Sequence, residues 1–221
     1  MKNYSFENYY FNNSDVKGVK TEINFSKKNS FKIILHEETQ NYYETTKDIE
    51  IVKEFPPLLF SVNVDPKEIL SLKSFDEINE LTLLDGHHRF EHLNLYSYDL
   101  AVPIVLISNN DVRVESYNSI INVSEKQLND ILIENEFKLS SSPDFFLYFQ
   151  NNKYSNNEIT SVYDLYDFKR KLISSEIITP IQNDIRADEN KILNFTPLKL
   201  SDFKKENYLF PPKSTWISPR I

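Results

Sequence analysis

Compact apolar runs separated by polar turns dominate the first half of this chain. FKIIL (31–35) has strand length and stops at His36-Glu37-Glu38. Residues 40–54 space their apolar positions through a polar background, which predicts a helix that Pro56-Pro57 must end, because proline lacks the amide a helix interior needs. PLLFSVNV (57–64) reads as a second strand, and Asp65-Pro66 opens a short surface helix within 65–77. INELTLL (78–84) predicts a strand delivered into Asp85-Gly86, followed from His87 by a helix with Phe90 and Leu93 on one buried face. VPIVLI (102–107) is apolar throughout, the pattern of a strand covered on both faces. Asn109-Asn110-Asp111 is a turn signal, which makes VRVESY (112–117) its partner strand.

Beyond residue 120 the pattern changes. SEKQLNDILIENEF (124–137) and SVYDLYDFKRKLI (161–173) have the spacing of amphipathic helices, the first opening on a serine cap, with FFLYF (145–149) as a strand between them. The first thirty residues predict a short strand and loops, and 195–221 a loop-like tail. The expected fold is therefore α/β (α+β). Residues 1–119 would form a small mixed sheet with flanking helices, and 120–221 a mainly helical region.

Composition narrows the function. With 40% hydrophobic and 14% aromatic residues, the 221-residue chain can bury a real core. A net charge of −8 with scattered cations repels phosphate backbones and anionic lipid, so no nucleic-acid partner is expected, although a local cluster could hold one small anion. The absence of cysteine excludes disulfides, thiolate metal sites and thiol catalysis. No apolar run approaches the roughly 20 residues of a membrane helix, and the opening MKNYSFENYYFNN lacks a secretory layout. A soluble cytoplasmic protein is the expectation.

The chemistry concentrates in LLDGHHRFEH (83–92), which holds three of the four histidines and one of the two glycines. A strand delivering Asp85-Gly86 into a helix start presents unpartnered backbone amides with a partial positive charge behind them. Gly86 permits close approach, and His87, His88 and Arg89 add donors, so the corner suits a phosphate or another small anion. A zinc site competes: His88-Arg89-Phe90-Glu91-His92 matches H-x-x-E-H, with Glu91 as general base. The third reading is a plain turn with histidines on a helix surface. The fourth histidine, His36, also follows an apolar strand, and ligands gather at strand carboxyl ends in α/β sheets. His36-Glu37-Glu38-Thr39 offers carboxylates able to deprotonate a hydroxyl. Pro211-Pro212-Lys213-Ser214-Thr215 offers a cation and hydroxyls suited to phosphate oxygens.

In this order, LHEET, LLDGHHR with VPIVLI behind it, and PPKST resemble the free serine kinases, which belong to the superfamily of ParB N-terminal domains and sulfiredoxins. The trio is similar too to a related uncharacterised bacterial family with His-Glu-x-Thr, Asp-Gly-His-His-Arg and Pro-Lys-Ser-Thr motifs. The resemblance covers about residues 31–117 and the last dozen. It implies nucleotide-dependent phosphotransfer to a small hydroxyl compound, free L-serine in the characterised kinases, with ATP or ADP as donor and Mg2+ bridging the phosphates. It makes Glu37 the general base, with His36 beside it. Asp85, Gly86, His87, His88 and Arg89 would hold the phosphates, and Lys213, Ser214 and Thr215 would close over them; that Asp85 also helps to orient the metal is an inference from its carboxylate and not part of the resemblance. Trp216 and Ile217 stand where the kinases carry a basic residue and a histidine, a departure that bears on serine as the acceptor and on the nucleotide preference. A nucleotide-binding regulator without turnover is the alternative.

Overall fold

A computed structural model of the chain describes residues 6–12, 14–25, 31–39, 56–71, 75–96 and 101–220. They fall into two compact units, one from residues 1–113 with 203–207 and 217–221, the other from 114–202 with 208–216.

The first unit is built on a six-stranded mixed sheet of β1 (Glu7–Tyr10), β2 (Lys17–Ile23), β3 (Lys32–Ile34), β4 (Leu58–Val62), β5 (Glu80–Asp85) and β6 (Val102–Ser108), in the order β1-β2-β6-β4-β5-β3. β4 and β6 are parallel, as are β3 and β5; the other neighbours are antiparallel. The helices α1 (Pro66–Ser71) and α2 (His87–Tyr96) contribute Ile69, Phe90 and Leu93 to one core, where they meet Leu58, Phe60, Val62, Leu81, Leu83, Ile104 and Leu106 from the central strands. Leu59, Leu84, Val105 and Ile107 on the opposite face are buried as well. Burial on both faces is why β4, β5 and β6 read as continuous apolar runs.

The second unit contains β8 (Asn118–Ile121), α3 (Glu125–Glu134), β9 (Lys138–Leu139), β10 (Leu147–Phe149), β11 (Asn152–Ser155), α4 (Val162–Ser174), β12 (Ile178–Ile181) and β13 (Ile192–Phe195). Its six strands run in the order β12-β8-β13-β10-β11-β9, every pair antiparallel. α3 and α4 each open on a capping box, Ser124 with Gln127 and Ser161 with Asp164, which satisfies first-turn amides reciprocally. β7 (Arg113–Ser116) and β14 (Thr215–Ser218) pair as a separate two-stranded ribbon.

The α/β class, the strands at FKIIL, PLLFSVNV, INELTLL and VPIVLI, and the helix from His87 agree with the sequence reading. Four expectations change. The region after 120 is a six-stranded antiparallel sheet with two helices rather than mainly helical, because its strands of two to four residues are too short to print a periodicity. VRVESY does not partner VPIVLI: β7 pairs with β14, while β6 lies between β2 and β4. The N-terminal segment supplies a full strand, β2, whose Val19, Thr21 and Ile23 are buried while Lys20 and Glu22 are exposed. The tail is not all loop, since β14 forms within it. The helix expected over 40–54 lies outside the described residues.

Phe60, fully buried in the centre of the first core, tests this packing. Phe60→Ala is expected to destabilise the protein by about 3–5 kcal/mol, read as a lower urea midpoint. A midpoint equal to that of the unsubstituted protein would contradict the assignment of this core.

Candidate active site

The parallel pairing of β3 with β5 matches Ile34 with Thr82, so both strands run out at the same end of the sheet. His36 follows β3 by two residues, and Asp85 closes β5. Motifs about fifty residues apart in the chain are thereby brought into contact. The His36 and His87 rings meet edge to face with centroids 4.6 Å apart. The other face of His36 stacks on Phe203 at 4.0 Å and 12°. Thr39 donates a hydrogen bond from its hydroxyl to the Glu91 carboxylate, a second tie between the two motifs.

His36 itself is 1% exposed, and its ring donates to the carbonyl of Leu83. Packed between His87 and Phe203, it leaves little ring surface for the catalytic role expected of it. Glu37 and Glu38, next in the chain, are half-buried.

At the end of β5 the chain turns through Gly86 at φ +93°, and the Gly86 carbonyl accepts the first helical bond from the Phe90 amide at 2.8 Å. A Cβ at Gly86 would come within 2.6 Å of Leu58 Cδ2 and 3.0 Å of Arg89 Nη2, so both conformation and space require glycine. Arg89 commits Nη1 to the carbonyls of Pro56 and Pro57, both at 2.8 Å, and sets Nη2 3.6 Å from the Asp85 carboxylate. Both Nη1 protons are then in use. The phosphate donor expected in Arg89 is instead engaged as a brace that fixes the corner against the approach to β4. What the corner presents is the first-turn amides of α2, the half-buried His88 and the half-buried Asp85.

Burial sets the charge state of the histidines. It holds His36 well below the ordinary imidazole range, with the neighbouring His87 pushing the same way and the Leu83 carbonyl opposing. His87 is pushed down to about 4, chiefly by burial; His88 adds to the effect and Asp85 opposes it. His87 Nε2 is shielded from solvent with no hydrogen-bond partner, so a proton there would have no acceptor. Both rings are therefore neutral near pH 7.

The H-x-x-E-H reading fares less well. His92 is buried, Glu91 is engaged by Thr39, and no three His, Asp or Glu among the described residues lie placed to share a metal ion. In the second unit, Lys213 is exposed at φ +55°. Ser214 is buried and donates its hydroxyl to the Pro211 carbonyl at 2.5 Å, while its own carbonyl accepts from the Tyr117 amide at 3.4 Å. Thr215 begins β14.

Solved structures share this arrangement of strands and helices. SbnI with a C-terminal truncation, from Staphylococcus aureus, superposes with a TM-score of 0.62 at 13% identity over 91% of this chain and 84% of that one. Free serine kinase in complex with AMP superposes with a TM-score of 0.53 at 15% identity over 95% of this chain and 90% of the kinase. The chain has the fold of free serine kinase. A conserved hypothetical protein from Pyrococcus furiosus also shares it, at 13% identity and a TM-score of 0.53 over 98% of this chain and 90% of that one. No family model matches the sequence. No curated protein matches it either. No helix among the described residues is long and apolar enough to cross a membrane.

Three contributors to the corner carried no sequence signal: Phe203, the Pro56 and Pro57 carbonyls, and Leu58 against Gly86. Each acts through packing or backbone. Thr39 stands in the His-Glu-x-Thr motif, but nothing in the sequence marks Glu91 as its partner.

The neutral His87 makes a pH prediction. Its folded value, about 4, lies below the unfolded 6.5, so the unfolded chain binds the extra proton first. The contribution is fully present above 6.5 and is lost as pH falls toward about 4. Urea unfolding across this window should show stability falling on acidification, with a shallower fall in His87→Gln. Parallel profiles for the two proteins would contradict the assignment.

Proposed function

We propose that the chain is a nucleotide-dependent kinase that phosphorylates the hydroxyl of a small molecule, with free L-serine, giving O-phospho-L-serine, as the acceptor to test first. The observation that carries this reading is the junction of the His-Glu-x-Thr and Asp-Gly-His-His-Arg segments at the ends of β3 and β5, on a fold shared with a kinase solved with AMP and with ADP.

In this reading the α2 amides and His88 hold the terminal phosphates of ATP or ADP. Arg89 keeps the corner rigid through Pro56, Pro57 and Asp85, and His36 holds His87 in place. Glu37 takes the proton from the acceptor hydroxyl as that oxygen bonds to the terminal phosphorus. The bond from phosphorus to the bridging oxygen breaks, and the shortened nucleotide leaves with the electron pair. The closing role expected of Lys213, Ser214 and Thr215 falls in the second unit, where Ser214 is turned inward and supports the turn that carries Lys213.

Mg2+ fits the donor set: it favours one or two carboxylates plus phosphate oxygens over a cage made wholly of protein, and Asp85 supplies a half-buried carboxylate at the corner. Bound there, Mg2+ would neutralise charge on the phosphates.

Free serine kinase variants with one glutamate changed to alanine or glutamine were solved with AMP, which supports separating nucleotide binding from proton transfer. Glu37→Gln is therefore expected to bind ADP as the unsubstituted chain does while phosphotransfer to serine falls by about 100- to 10,000-fold. The check is incubation with phosphorus-labelled ATP or ADP and serine, followed by product separation. Undiminished product in Glu37→Gln would remove the proposed base; tight nucleotide binding with no product from any amino acid would favour a regulator without turnover.

A further inference from the structure

The sheet of the second unit has two chemically distinct faces. β8, β13 and β10 lie side by side, and each buries alternate residues: Ser119 and Ile121, Leu193 and Phe195, Leu147 and Phe149. That face takes α4, whose Tyr166 ring lies 6.0 Å from Phe195. With a side-chain period of two, Asn118, Asn194 and Tyr148 share the opposite face. There the segment following β12 and the β10–β11 turn wall a cleft of about 730 Å3, a size typical of small-molecule sites.

The walls are fixed before any ligand arrives. Asn183 accepts from the Asn118 amide at 2.8 Å and donates to the Ser116 carbonyl at 3.0 Å, which latches the segment after β12 to β8. Gln150 and Asn151 form the two-residue turn with φ of +46° and +62°, and Tyr148 donates its hydroxyl to Asn151 Oδ1 at 3.0 Å. Asn194 lines the same cleft, and its Oδ1 is shielded from solvent and accepts no hydrogen bond. A buried acceptor left this way costs stability, and turning the carboxamide toward a ligand donor in the cleft would satisfy it.

Charge and donor type define the class of that ligand. Arg186 is the single cation of the lining, against Asp184 and Glu189, so the cleft does not suit phosphate. Carboxamides offer a donor and an acceptor each, as hydroxyl groups do in return, and Tyr148 adds a partly exposed ring. We propose that this cleft binds a neutral polyhydroxylated small molecule, a sugar or sugar alcohol. Its hydroxyls bond Asn118, Asn194 and Gln150, and a C–H face lies on Tyr148. None of these residues belongs to the motifs assigned to phosphotransfer, so this inference and the kinase reading stand or fall separately.

The test is titration of the isotopically labelled full chain with glucose, galactose, sorbitol and maltose, followed through the side-chain amide signals of Asn118 and Asn194 by NMR. At least one compound should move these signals to saturation. Asn194→Leu should weaken that compound at least about tenfold while its melting temperature stays at or above that of the unsubstituted chain, because an unsatisfied acceptor is replaced by an apolar group. Tyr148→Ala, at the partly exposed ring, should weaken it too and serves if Asn194→Leu does not fold. The proposal is overturned if none of the four compounds moves the signals, if both variants bind unchanged, or if trialanine moves the signals and the polyols do not.

Discussion

The parallel pairing of β3 with β5 is the constraint on which the proposed chemistry rests. Parallel neighbours end on the same side of a sheet, so whatever follows them in sequence must meet. Here a strand of three residues and one of six carry His36 and Asp85-Gly86-His87 to one place. A one-residue slip in either strand would reverse the faces of its side chains and part His36 from His87. The apolar packing of Leu81 and Leu83 against Phe60 and Phe90 fixes that register, which links the core directly to the site.

Within the corner, polar groups divide between holding and presenting. Arg89, one of the phosphate donors expected from the sequence, serves as a brace because two proline carbonyls take its Nη1 protons and Asp85 pairs with its charge. Its guanidinium is planar and its donors are fixed in direction, so a group bonded to adjacent carbonyls cannot also offer a full fork to a ligand. The neutral histidines follow from the same burial. An imidazole pair in contact inside the protein cannot carry two charges, and with both neutral the helix amides and the Asp85-paired Arg89 remain as the positive groups of the corner.

Much of this was legible in the sequence where the signal was local. The strand into Asp85-Gly86, the helix with Phe90 and Leu93 facing inward, and the serine before α3 are all written in contiguous residues, and the ordered motifs pointed to the fold. What escaped reading was non-local. β8 pairs with β12 and β13, both more than fifty residues downstream, and no strand of that sheet exceeds four residues. The Gln150-Asn151 turn lacks the glycine that usually advertises a hairpin. Phe203, stacked on His36, sits in a lysine-rich stretch with nothing to mark it. Which distant residue will bury another leaves no trace in a single sequence.

The central claim is that the end of β5 and the start of α2 hold the phosphates of a nucleotide. Backbone amide signals of the labelled protein, followed while ADP and Mg2+ are added, test it most directly. The account predicts that the amides of Gly86, His87, His88 and Arg89 shift together and saturate with the nucleotide. Saturable shifts elsewhere in the chain, with those four amides unmoved, would contradict it.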